Sequence, residues 1–186
     1  MLGATLVAPG TAPAVAPAPA VAQEPACDSP EKAFRPAALK IPGVVARTRV
    51  LARGRDRHGV PRPPPLTERG KWRLAWDKAS RIRPGGPRGV VRLTAHTYPR
   101  SAGPALGNRL LRRLNEGDRL VVSGPGGERL CYQVVKRVRV RAERKLRTYY
   151  SSTGRPRLAI LVCSGKRRGP GDWSHRTIWY AVPTSD

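Results

Sequence analysis

Short runs in which apolar and polar residues alternate, separated by glycine- and proline-rich breaks, set the pattern of this chain and predict strands. From Leu39 the sequence LKIPGVVARTRVL is β-branched with partial alternation, and Pro42-Gly43 inside it predicts an edge strand or a bulge. Residues 54–65 are basic and proline-rich, with a turn at His58 and a polyproline segment at Pro63-Pro64-Pro65. Trp72 and Trp76 stand at helical spacing, although a short irregular segment packing both indoles on the core fits them equally. From Gly89 the run VVRLTAHTYP reads as a strand that stops at His96 and Pro99. One amphipathic helix follows, Pro104 to Asn115, with Leu106, Leu110, Leu111 and Leu114 on one face and arginines on the other.

Beyond the helix, Arg119 to Ser123 and Arg129 to Val140 form two β-type runs, and the Gly124-Pro125-Gly126-Gly127 break between them predicts a hairpin. In the second run Val134, Val138 and Val140 alternate with Arg137, Arg139 and Arg141, so one face is expected to be buried and the other wet. Residues 142–156 make a long polar connection, and loops of this length often carry function. Leu158 to Val162 is an apolar strand ending on Cys163-Ser164-Gly165; after a Gly/Arg-rich loop the last β run opens at Arg176. Short strands at fairly even spacing with one helix predict an all-β protein, a closed or nearly closed barrel.

Composition narrows this picture. At 186 residues the chain fits one domain and an extra arm. Residues 1–33, rich in Ala, Pro and Val, read as a semi-rigid linker, and 34–186 as the folded domain. No run of about 18 apolar residues is present to span a bilayer. The first eight residues read as the tail of an apolar segment, which raises an export or membrane segment lying upstream. The 36 Lys+Arg against 12 Asp+Glu give a net charge of +24. That balance suits an anionic partner, or else reflects arginine usage spread over every solvated face. With the basic residues dispersed and few aromatics to stack on bases, specific nucleic-acid binding is not expected. No cysteine or histidine spacing suits a metal, so no metal or cofactor is expected.

Candidate chemistry lies where strands stop. Cys163, His96 and Arg176 all fall at expected strand ends, where side chains can face a cleft while a sheet fixes their backbones. The cysteine is a buried small hydrophobe or a nucleophile, and an arginine beside it would favour the thiolate. A nucleophilic thiol also needs a proton carrier, because an amide nitrogen leaves only when protonated. His175 competes with His96 for that part. Neighbours in a strand face opposite ways, so if Arg176 faces the site His175 faces away, and His96 becomes the candidate.

The series Thr94-Ala95-His96-Thr97-Tyr98-Pro99, then Ala105-Leu106-Gly107-Asn108 with Glu116-Gly117-Asp118, then the strands at Cys163 and Arg176, resembles the sortases, most of all the actinobacterial class F branch. The likeness runs from about Phe34 to Pro183 and includes the opening Leu39-Lys40-Ile41-Pro42. It implies an eight-stranded barrel with one or two short helices. It also implies a cysteine transpeptidase at the surface of a Gram-positive cell that cuts a Leu-Pro-X-Thr-Gly-like sorting signal. Its partners would be surface proteins bearing that C-terminal signal and a peptidoglycan-precursor or pilin amine, with the membrane reached only through an upstream segment. Cys163 would be the nucleophile, His96 the general acid and Arg176 the holder of substrate and oxyanion. The long connection would wall the substrate groove, with Tyr149 and Tyr150 against the Leu-Pro pair and Ser151, Ser152 and Thr153 on its backbone. The usual Thr-Leu-X-Thr-Cys reads Ala159-Ile160-Leu161-Val162-Cys163 here, without either threonine. In an extracellular protein Cys27 and Cys131 could bridge, or be two unrelated thiols. Another cell-wall cysteine enzyme, the L,D-transpeptidase, carries Ser-His-Gly-Cys, whereas here Ser174-His175 leads directly into Arg176. The alternative class is a non-catalytic basic barrel that binds nucleic acid or another anionic polymer.

Overall fold

The computed structural model describes residues 27, 30 and 32–184, so nearly all of the expected linker at 1–33 lies outside the described residues. Among the described residues eight strands close into a barrel in the order β1-β2-β3-β4-β7-β8-β6-β5. They are β1 (Ala38–Ile41), β2 (Val45–Arg53), β3 (Leu74–Asp77), β4 (Val90–Ala95), β5 (Arg119–Ser123), β6 (Arg129–Arg141), β7 (Arg157–Gly169) and β8 (Asp172–Thr184). The expected all-β barrel is therefore present. One α-helix, α1 (Leu106–Arg113), turns Leu106 and Leu110 into the core, and Leu114 follows them just past its end.

Three local differences from the sequence pattern have physical causes. The run from Leu39 to Leu51 is two antiparallel strands, because Gly43 takes a left-handed φ of 70° and turns the chain between Ile41 and Val45. Trp72 and Trp76 do not share a helix: Trp72 ends a single 3-10 turn, and Trp76 lies buried in β3. The stretch after Cys163 is only in small part a loop, since β7 continues to Gly169 and β8 begins at Asp172. There the two strands form a ribbon whose register shifts between Ser164 and Arg167. Gly165, at φ 81°, sits at that irregularity; a Cβ there would meet Ser174 Oγ at 2.4 Å. Cys163 is thus where the ribbon leaves the barrel, and not the last residue of a strand.

Register fixes the faces. Val91, Leu93 and Ala95 of β4 pair with Leu158, Ile160 and Val162 of β7, and the latter three pair with Ala181, Trp179 and Thr177 of β8; this set looks inward. The intervening residues look outward: Arg92 and Thr94 beside Ala159 and Leu161, then Cys163 opposite Arg176. On that outer face a second apolar cluster forms from Val90, Ala159, Ile178, Tyr180 and Tyr149. Tyr149 belongs to the β6–β7 connection, so this segment lies over the sheet instead of standing off in solvent. In β6 the alternation holds less well than its sequence indicates, with Val134 buried but Val138 and Val140 only half-covered.

Candidate active site

A cleft of about 740 Å³ opens on this outer face, and Cys163, His96 and Arg176 all line it. Cys163 and Arg176 are direct partners across the β7–β8 ladder. His96 is the first residue past β4, and its neighbour Ala95 pairs with Val162, the residue before the cysteine. A parallel pair of strands therefore brings the imidazole and thiol to the same level, and an antiparallel pair adds the guanidinium. His175 pairs with Ser164 on the other face, bonds Ser174 through Nδ1 at 2.8 Å, and does not line the cleft.

Cys163 is half-buried and is the free thiol among the described cysteines. Burial pushes its pKa above the usual 9.0, and the Arg176 charge pulls part of the way back. His96 is pushed below 6.5 by burial, partly opposed by its hydrogen bond to Pro64. At neutral pH the pair is thus mostly thiol and neutral imidazole. Because a carbonyl oxygen only accepts, the 2.7 Å contact of His96 Nε2 with the Pro64 oxygen puts a proton on Nε2. Arg176 donates Nη1 to the carbonyls of Trp173 and His175, both at 3.0 Å, which holds the guanidinium against the ribbon.

The histidine segment is pinned by contacts that sequence reading passed over. Gly107 N–H in the first turn of α1 donates to the His96 carbonyl at 3.0 Å, and a Cβ at residue 107 would lie 2.4 Å from that oxygen. Asn108 clamps Tyr98 from both sides, accepting from its N–H at 3.0 Å and donating to its carbonyl at 2.9 Å. Thr97 Oγ1 donates to the Cys163 carbonyl at 2.7 Å, tying the segment after β4 to β7. The Leu-Gly-Asn triplet was the available signal, since glycine in a helix interior usually marks a close approach.

The cleft has two side walls. Pro61, Pro63 and Leu66 form one; Leu146, Tyr149 and Tyr150 of the β6–β7 connection form the other. Behind the second wall Asp77, 1 % exposed, accepts Arg92 Nη1 at 2.9 Å and Arg55 Nη2 at 2.7 Å. Burial pushes its carboxyl up, but the two arginines outweigh that and hold it below 3.8. Arg92 also donates to the carbonyls of Tyr149 (3.0 Å), Tyr150 (2.7 Å) and Ser151 (3.3 Å), so one buried guanidinium fixes the backbone of the wall. Ser151, Ser152 and Thr153 do not reach the cleft: the Ser151 hydroxyl bonds the Thr153 carbonyl, and the Ser151 carbonyl accepts Val90 N–H at the foot of β4. The expected backbone contacts from these three hydroxyls therefore have no geometric basis. Tyr149 is fully buried with an unpartnered hydroxyl, whereas Tyr150 is 40 % exposed. Of the positions that carry alanine and valine in place of threonine, Val162 points into the core and Ala159 lies beneath Tyr149.

Cys27 and Cys131 are bonded, with Cα atoms 5.4 Å apart. Among the described residues no group of three His, Cys, Asp or Glu side chains is arranged for a metal, and no helix is long and apolar enough to cross a membrane.

No protein-family model matches the chain, and no curated protein matches it in sequence. Solved structures do. Sortase C1 of Streptococcus agalactiae, in its complex with MTSET, is 17% identical with a TM-score of 0.57, over 82% of this chain and 71% of its own. Sortase C1 from Streptococcus suis is 16% identical with a TM-score of 0.57, over 81% and 73%. Sortase A from Corynebacterium diphtheriae is 18% identical with a TM-score of 0.56, over 83% of this chain and 63% of its own. The chain has the sortase-type barrel fold.

Proposed function

We propose that this protein is a cysteine transpeptidase of the sortase kind that cuts a Leu-Pro-X-Thr-Gly-like signal and passes the acyl group to a cell-wall or pilin amine. The observation that carries the reading is the convergence of Cys163, His96 and Arg176 on one cleft from three neighbouring strands. The fold it shares with sortases C1 and A supports it.

In this reading the Cys163 sulfur adds as thiolate to the threonine carbonyl carbon, and the proton it gives up rests on His96. Arg176 faces the oxyanion that forms, where a fixed positive charge stabilises the transition state more than the ground state. Collapse breaks the Thr–Gly C–N bond. His96 protonates the departing amine, leaving a thioester on Cys163. An incoming amine adds to the thioester, its proton passes to His96, and the thiolate leaves. Tyr150 and the apolar wall at Leu146 and Tyr149 receive the Leu-Pro pair. The enzyme works at the cell surface of an actinobacterium as a class F type, where a Cys27–Cys131 bridge persists.

The test is incubation with Leu-Pro-X-Thr-Gly-like peptides and an amine, followed by intact-protein mass. An adduct of acyl mass on the wild type, absent from Cys163→Ala, is expected, with transfer lost in the variant and its fold retained. Turnover by Cys163→Ala at the wild-type rate overturns the reading.

A further inference from the structure

On the far side of the β6–β7 connection lies a second groove of about 1020 Å³, which none of Cys163, His96 or Arg176 lines. Its floor is apolar: Val138 and Ile178 pair across the β6–β8 ladder on the outer face, with Tyr180 beside them. Its walls are cationic. Six of its fourteen lining residues are Lys or Arg and none is acidic, against 36 of 186 along the whole chain, so this charge exceeds the chain's general Lys and Arg content; Arg144 and Lys145 also line the active-site cleft. None of the six has an acidic partner among the described residues.

The charges flank the floor: Lys136 on β6 pairs with Tyr180 on one side of β8, Arg157 opens β7 on its other side, and Arg147 comes from the connection; all three are exposed. That arrangement selects among anionic partners. A lipid bilayer is flat and cannot follow a concavity between two walls. A nucleic acid would look for aromatic platforms, and the one aromatic here, Tyr180, is 8 % exposed and offers no open ring face. A flexible chain fits, because arginine forks pair with phosphate oxygens two at a time.

We propose that this groove binds a linear polyanion, a chain of phosphate groups without nucleobases, held between Lys136 on one flank and Arg157 on the other, with Arg147 of the connection.

The test is fluorescence anisotropy of a labelled short polyphosphate with the full chain, titrated at several salt concentrations. Replacing Lys136, Arg147 and Arg157 with Gln should weaken binding by about tenfold or more and flatten the salt dependence, because each lost contact releases fewer counterions. Arg47, Arg49 and Arg112, exposed residues that line neither cavity, replaced with Gln form the charge-matched control and should bind nearly as the wild type does. In the wild type, polyphosphate should slow amide exchange in residues 136–140 and 144–148, a readout that needs no variant to fold. Equal loss in the two triple variants, exchange protection elsewhere, or binding to single-stranded DNA or anionic vesicles that polyphosphate fails to displace would each overturn the assignment. The assay does not involve Cys163, so its failure leaves the transpeptidase reading untouched, and the reverse.

Discussion

Cys163 and His96 set opposite limbs of a pH profile. Burial raises the thiol above 9.0 and lowers the imidazole below 6.5, so the singly protonated pair spans the whole interval between. On the proposed reaction, kcat/KM rises as the imidazolium of the free enzyme loses its proton below 6.5 and falls as the thiol ionises above 9.0. A narrow bell with both limbs inside that interval would contradict the assignment. Removing the Arg176 charge takes away the influence that lowers the thiol, so Arg176→Ala moves the alkaline limb of cysteine alkylation further up. Gly107 gives a different prediction. Its missing Cβ admits the His96 carbonyl, so Gly107→Ala pushes the histidine backbone aside and lowers kcat/KM by roughly tenfold to a hundredfold, as small misplacements of reacting groups do. The three candidate site residues were legible in the sequence because each stands where an apolar run changes character. Pro64 and Arg92 were not, since a carbonyl partner and a buried charge leave no periodic trace; Gly107 left only the mark of a glycine inside a helical run.

The β6–β7 connection is a wall because Arg92 grips three of its carbonyls while Asp77 grips Arg92. Arg92→Met leaves Asp77 with Arg55 alone and releases the wall; a loss of about 3–5 kcal/mol in urea unfolding is expected for breaking a buried pair. Acid should act at the same place. The folded carboxyl of Asp77 lies below 3.8, so its contribution is present above that value and disappears as pH falls through the lowered one. Asp77→Asn should lack that part of the acid sensitivity. Within the wall the side chains divide: Tyr150→Ala should reorder a peptide panel ranked by kcat/KM, while Ser151→Ala, Ser152→Ala and Thr153→Ala should leave the ranking unchanged. Reading this segment as a polar loop missed its packing on the sheet, because only Tyr149 buries fully and Leu146 partly, too few to make a pattern. Hairpin β5–β6 and helix α1 were clear from turn glycines and leucine spacing. Strand β3 was hidden, because Trp76 within it and Trp72 in the turn before it mimic a helical step.

For the whole molecule, the Cys27–Cys131 bridge closes a sequence separation of 104 residues and ties the chain before the barrel to β6. Chain entropy assigns a loop of that size up to about 4–5 kcal/mol. Reduction should therefore lower Tm by several degrees while the Cys163 thiol keeps its reactivity, and Cys27→Ser with Cys131→Ser should reproduce the shift. The parallel pairing of β4 with β7 has a consequence in time. Hairpins β5–β6 and β7–β8 join near neighbours, but Val90 must find Arg157 across about a third of the chain, and such distant pairings close slowly. Thiol and imidazole meet only through that pairing. On the proposed reaction, a nascent or half-folded chain carries an ordinary, unassisted cysteine, and attack on carbonyls begins only once the barrel has shut: assembly itself acts as the safety catch on the nucleophile.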